Sequence, residues 1–234
     1  MYTINIDIMP KILKVKSEKE YDKRFNDVLE PLLKPPFLGV FEGSVRTGKS
    51  TILVNLLYNK EFYYGLFDKI IFISPTVMND LTLKHLREDD EVIKINDNLD
   101  DLDGILKVIV EEKEKNEETR KEFYLIILDD CLGLIKPKSY VSYLCSRYRH
   151  YKISLIFTSQ NFRSINNIIR TNATFYLLFK TANNKTYTKY VEEFGNIFEN
   201  FEEMYKKATT EPYNFLFLNL RTLGAWHNFE KNLS

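Results

Sequence analysis

Apolar residues in this chain gather in short unbroken runs, separated by stretches in which they recur every three or four positions. The runs FLGVF (37–41), KIIFISP (69–75), FYLIILDD (123–130), ISLIFTSQ (153–160), TFYLLFK (174–180) and FLFLNL (215–220) have no polar alternate positions, which predicts strands buried on both faces. KSTILVNLLYN, after the first run, reads as a helix. Leu102, Ile105, Leu106 and Ile109 have the i, i+3, i+4, i+7 spacing of another, which runs out into the charged EEKEKNEETRKE, a solvated helix end or loop. Strands of this kind alternating with helices predict an α/β fold of three layers, with a mostly parallel central sheet covered on both sides. Ahead of it, TINIDI (3–8) alternates like a short strand. SEKEYDKRFNDVLEPLL (17–33) reads as a helix, with Ser17 and Glu20 at capping-box spacing and Phe25, Val28, Leu29 and Leu32 on one face. The prolines of KPP (34–36) end that helix, because a residue before proline avoids the α region. The expected organisation is an N-terminal extension over 1–36 and one domain over 37–234, without internal repeats or low-complexity tracts.

Composition narrows the class. The 234 residues are 44% apolar and 28% charged, enough for one sizeable core. No run reaches 18 apolar residues, and MYTINIDIMPKILKVK lacks a signal-peptide pattern, so the expectation is a soluble intracellular protein that is not secreted and has no membrane span. Cys131 and Cys145 match no zinc spacing and are expected to be reduced thiols. His85, His150 and His227 are too scattered for a metal site, and most of the aromatic residues, Trp226 among them, are expected in the core.

Charge is balanced overall, with 33 basic and 33 acidic residues, but not along the chain. From Cys131 to Val191 there is no Asp or Glu, whereas ten residues are Lys or Arg, which leaves 23 basic against 33 acidic elsewhere. Such asymmetry is the electrostatic footprint of a polyanionic partner or of nucleotide phosphates. A solvated face that lacks acids produces the same pattern.

Three motifs carry chemistry. Gly43, Ser44, Val45, Arg46, Thr47, Gly48, Lys49 and Ser50, followed by Thr51, match G-x-x-x-x-G-K-S/T between a predicted strand and a predicted helix. Glycines there turn backbone N–H groups toward phosphate oxygens at a helix N-terminus. Lys49 reaches the β and γ phosphates, and Ser50 is a Mg²⁺ ligand. The strand YLIILDD ends in Asp129, placed to hold Mg²⁺ through water, and Asp130, placed to orient or deprotonate an attacking water. The same pair also suits a helix N-cap. Gln160 ends a later strand, where an amide can bond both the attacking water and the γ-phosphate.

GSVRTGKS, LIILDD and RHYKISLIFTSQNFRSINNIIRTNATFYLLF together resemble the FtsK/HerA superfamily of DNA-pumping ATPases, and most closely the genome-packaging ATPases of poxviruses, giant viruses and virophages. The resemblance covers about residues 37–180. It implies a RecA/ASCE-like P-loop NTPase motor domain that uses ATP and Mg²⁺. It also implies that Arg149, Gln160 and Asn172 hold the superfamily's positions before, at the end of and after the sensor strand, with Arg149 as a finger for a neighbouring subunit's nucleotide. Residue 159 is Ser where Thr is usual, and Asp130 replaces a frequent Glu. The implied protein is a double-stranded DNA translocase that packages a viral genome. Its partners would be duplex DNA without sequence preference, further copies of itself in a hexameric or pentameric ring, and a capsid or portal component, in the host cytoplasm (virus factory) or virion. Alternatives are a nucleotide kinase-like phosphotransferase, a non-packaging DNA pump of the same superfamily, and an ATP-binding scaffold. A GTPase is disfavoured, since NNKTY (183–187) has Tyr where a guanine-reading Asp is required.

Overall fold

The computed structural model describes residues 22–88, 93–97, 99–136 and 138–234. Among these residues nine strands, β1 (Leu38–Glu42), β2 (Lys69–Ile73), β3 (Ile93–Asn96), β4 (Tyr124–Leu128), β5 (Ile153–Ser159), β6 (Phe175–Phe179), β7 (Phe215–Asn219), β8 (Gly224–His227) and β9 (Lys231–Asn232), form one sheet in the order β3-β2-β4-β5-β1-β6-β7-β8-β9. The pairings from β3 through β6 are parallel, and those from β6 through β9 are antiparallel. The six apolar runs therefore all became strands. Every residue of β1, β4, β5, β6 and β7 is buried, as strands covered on both faces must be.

Among the described residues eight α-helices complete the layers: α1 (Lys49–Tyr58), α2 (Lys84–Glu88), α3 (Leu102–Lys115), α4 (Glu117–Lys121), α5 (Tyr140–Arg147), α6 (Asn167–Asn172), α7 (Asn184–Phe194) and α8 (Phe201–Ala208). On one face Val40, Ile126, Phe157 and Tyr176 pack against Leu106 of α3, Leu144 of α5, Ile169 of α6, Tyr190 of α7 and Tyr205 of α8. On the other, Phe41, Phe72, Ile127 and Leu177 pack against Leu53 and Leu57 of α1, with Leu86 of α2 in the same core. Trp226 is the packing residue that was expected. It is 6% exposed and lies 5.8 Å from the ring of Phe217.

One expectation needs correction. The helix over 17–33 is not formed in its described part: residues 22–36 hold only a 3₁₀ turn, Lys23–Phe25, whose first N–H groups are capped when Asp22 accepts from Arg24 N (3.1 Å). Pro31 explains this, since it has no N–H to donate and moves Glu30 out of the α region. Phe25, Val28 and Leu33 still bury themselves against the α1 face of the sheet, while Leu29, assigned to the buried stripe, is 74% exposed. TINIDI and the Ser17/Glu20 box lie outside the described residues. The charged run after Ile109 is, as expected, a solvated helix end: α3 continues through Lys115, and α4 follows from Glu117 after a one-residue break at Asn116.

Candidate active site

The carboxyl ends of the parallel strands lie along one edge of the sheet, and there the sequence motifs converge. β1 delivers Gly43, whose N–H donates to Ser159 O (3.1 Å) and so ties the loop to the end of β5. A Cβ on Gly43 would lie 2.7 Å from Phe179 Cβ, so only glycine fits at that point. Gly48 has φ 102°, a conformation that favours glycine, and it caps α1 without any side-chain partner for the helix's first N–H groups. Those donors and the helix dipole are available to an anion. Lys49 is 7% exposed and its Nζ donates to Gly43 O (2.6 Å) and Ser44 O (3.1 Å), folding the side chain back over the loop. Burial lowers the Lys49 pKa, and the charges of Asp130, Asp129 and Glu42 oppose that.

β4 is separated from β1 by β5, so the two acidic residues face the loop across the end of β5. Asp129 is 4% exposed and fully held: Thr158 donates to its Oδ1 (2.6 Å) and Ser74 to its Oδ2 (3.0 Å). Burial raises its pKa; the Thr158 hydrogen bond acts against this, whereas the neighbouring Asp130 adds to it. Asp130 turns out of the strand with φ 51°, and its N–H donates to Thr158 Oγ1 (3.0 Å). Its Oδ2 accepts from Gln160 Nε2 (2.7 Å), so the sensor-position amide and the second carboxylate form one unit. Ser50 donates to Asp80 Oδ2 (3.0 Å). Gly48, Lys49, Ser50, Asp80, Asp129, Asp130 and Gln160 line a cavity of about 560 Å³. Cys131, next in sequence, is buried, donates to Ile73 O and Asp129 O, and has its thiol pushed up to about 12, chiefly by burial. It is inert at neutral pH.

The P-loop, Asp129, Asp130 and Gln160 are thus brought together. Arg149 is not: it is exposed in the turn before β5, at the opposite edge of the sheet, where its Nε donates to Tyr148 OH (3.0 Å). Asn172 ends α6 near that same edge and donates to Ile168 O (2.9 Å). The basic window also divides. Arg147, Arg149 and Lys152 precede β5, whereas Arg163 and Lys180 follow the carboxyl ends of β5 and β6. Arg170 and Lys189 are paired with Glu193 and Glu192.

Sequence reasoning missed Ser74, Asp80 and Thr158, the groups that orient the metal-site candidates. Their signal was weak but present, since polar residues end or follow the apolar runs of β2 and β5 and so fall on the site edge of a parallel sheet.

Comparison with known proteins agrees with this fold. Among curated proteins none matches the chain. Its fold is similar to that of the genome packaging NTPase B204 from Sulfolobus turreted icosahedral virus 2 in complex with AMP, with a TM-score of 0.62 and 16% identity over 83% of this chain and 97% of that one. The DNA-packaging ATPase B204 from Sulfolobus turreted icosahedral virus is similar at TM-score 0.59 and 18% identity, over 83% and 97% of the two chains. Thermomonospora curvata EccC (ATPases 2 and 3) in complex with a signal sequence peptide is similar at 0.54 and 16%, covering 80% of this chain and 35% of that one. These likenesses show the P-loop NTPase fold expected from the motifs. The family model described as poxvirus A32 protein matches residues 22–192, nearly three-quarters of the sequence, and the chain belongs to that family.

Proposed function

We propose that this protein is an ATP-driven double-stranded DNA translocase that packages a viral genome, with residues 37–234 as its motor domain. The observation that carries the reading is the chain of contacts Asp129–Thr158–Asp130–Gln160 facing Lys49 across the end of β5. It holds one buried carboxylate fixed, as a metal site requires. It also links a second, more exposed carboxylate to a neutral amide, as in-line attack by water requires.

Lys49 and the N–H groups at the start of α1 bind the β and γ phosphates of ATP. Asp130 orients the attacking water and takes its proton, and Gln160 aligns that water with the γ-phosphate, so that ATP and water yield ADP and phosphate. Ser50 and Asp129 fit Mg²⁺: the Ser50 proton is directed to Asp80, which leaves the hydroxyl lone pairs for a cation, and Asp129 is a buried carboxylate with both oxygens oriented. When bound there, Mg²⁺ supplies charge neutralisation at the β and γ oxygens.

Arg149, remote from its own site, acts on the nucleotide of the next subunit in a hexameric or pentameric ring. Arg147, Lys152 and Arg163 contribute phosphate contacts to duplex DNA that do not depend on sequence. A capsid or portal component anchors the ring, in the virus factory or the virion. Among the described residues no helix is long and apolar enough to cross a membrane. The test is ATP turnover of the oligomer with and without duplex DNA, at several salt concentrations. Stimulation that fades as salt rises is expected, and turnover indifferent to duplex DNA would sink the translocase reading.

A further inference from the structure

The phosphate cavity has a neighbour that the catalytic reading leaves unused. A cleft of about 310 Å³, of the size that small-molecule sites have, opens beside it and shares Arg46, Thr47 and Tyr213 with it. Phe179 and Lys180 at the end of β6 and Thr210 and Pro212 before β7 form its other walls. In the sheet order β4-β5-β1-β6-β7, the hydrolytic groups lie on one side of the P-loop strand and this cleft lies on the other. A nucleotide whose γ-phosphate sits between Lys49 and Asp130 must extend its remaining atoms away from Asp130, toward the cleft.

Tyr213 stands where the two cavities meet. Its ring lies along the P-loop backbone, with Cδ1 3.6 Å from where a Cβ on Gly48 would be, yet the residue is 69% exposed. The turn that presents it closes with Asn214 N donating to Glu211 O (3.4 Å) and places Pro212 second and Tyr213 third, at φ 67°. The third position of a turn with proline second and positive φ third favours Gly or Asn. An aromatic residue there sits against its local preference, and such departures concentrate at ligand sites.

We propose that Tyr213 is the stacking platform for the adenine base of the bound nucleotide, with Pro212 and Phe179 as apolar walls. The proposal rests on the reading of the P-loop as an ATP site and adds to it the seat of the base. A flat exposed ring at the rim of an apolar cleft offers a π-face to a base, and removing such a platform typically weakens binding by about 1–3 kcal/mol, roughly 5- to 150-fold. Among the described residues no carboxylate lines the cleft to pair with the N–H edge of guanine.

The experiment measures dissociation constants of ATP and of inorganic tripolyphosphate by calorimetry for the wild-type protein, Tyr213→Ala, Tyr213→Phe and Lys49→Ala. Tyr213→Ala is expected to weaken ATP binding by the factor above while tripolyphosphate binding holds, and Tyr213→Phe to recover most of the ATP affinity. Unchanged ATP affinity in Tyr213→Ala would overturn the proposal. So would equal losses for ATP and tripolyphosphate, because Tyr213 would then act on the shape of the P-loop rather than on the base. Wild-type protein that binds neither ligand would instead refute the ATP site itself, and Lys49→Ala, expected to lose both ligands, separates the two failures.

Discussion

Glu42 ends β1 one residue before the P-loop, is 2% exposed, and has an Oε2 atom without a hydrogen-bond partner. Burial pushes its carboxyl up to about 7; the positive charge of Lys49 and a backbone hydrogen bond from Phe162 oppose that and are outweighed. The consequence for stability has a definite sign. Between the ordinary carboxyl value of 4.5 and about 7, folded Glu42 keeps a proton that the unfolded chain has released, so stability falls as pH rises through that window and levels off above it. At 1.36 kcal/mol per pH unit the interval corresponds to about 3 kcal/mol. Glu42→Gln keeps the shape and removes the titration. Urea unfolding of both proteins at pH 4.5 and pH 8 should show the variant gaining about 2–3 kcal/mol on the wild type between the two. All other titrations cancel in that difference. Parallel pH dependence of the two proteins would refute the burial argument. A variant less stable than wild type at pH 8 would show that attraction to Lys49, not desolvation, governs the site.

Lys49→Ala should abolish ATP binding, whereas Asp130→Asn should retain it and lose turnover by about a hundredfold or more, since a general base is removed and the phosphate contacts remain; equal affinity losses in the two would contradict these roles. Thr158→Val deletes the donor to Asp129 Oδ1 and should raise the Mg²⁺ concentration for half-maximal turnover by about 10- to 100-fold, with ATP affinity in the absence of metal unchanged; an unaltered Mg²⁺ requirement would show that Thr158 does not position the ligand. Mixed rings of Arg149→Ala and Lys49→Ala subunits should recover part of the activity that each lacks alone, once native mass spectrometry has confirmed co-assembly. Complete absence of rescue would count against a finger acting between subunits.

The parts of the fold that were legible are those in which one local rule dominates. Strands buried on both faces carry apolar side chains at most positions, so β1, β2, β4, β5, β6 and β7 stand out as apolar runs, with polar residues such as Glu42, Thr158 and Asn219 mostly near their ends. The P-loop is equally local, because its glycines and Lys49 act within a few residues of one another. β3 was not legible: IKIN is a half-exposed edge strand, and β9 is exposed throughout. The extension failed for a related reason. Phe25, Val28 and Leu32 do fall at helical spacing, but Pro31 within the same stretch forbids the hydrogen bonds that the spacing suggests. Asp80, Ser74 and Thr158 escaped notice because their only mark is that polar residues end or follow apolar runs, which many loop residues share. Only the order β2-β4-β5-β1 sets the ends of these strands side by side, and that order is a property of the whole sheet.

That order also constrains how hydrolysis can be coupled to motion. β5 runs beside β1 in parallel register, from Leu38 opposite Leu155 to Glu42 opposite Ser159, so its end is fixed relative to the P-loop. At this end Thr158 bonds Asp129 and Asp130, and Gln160 bonds Asp130. The turn at its other end carries Arg149, about 20 Å or more away at a strand rise of about 3.3 Å per residue. A strand with every residue buried and both edges paired resists bending, so a displacement at Gln160 would reach the turn that carries Arg149 as movement of a rigid element. If Arg149 engages a neighbour's nucleotide, each subunit's Gln160 and its finger flank the two ends of one strand. Hydrolysis in one site then bears directly on the next. Glycine substitutions in the middle of β5, at Leu155 or Ile156, would separate this coupling from chemistry. Single-site hydrolysis in a mixed ring should persist while the dependence of one site on its neighbour weakens, and intact inter-site cooperativity in a folded variant would refute the strand as the connecting element.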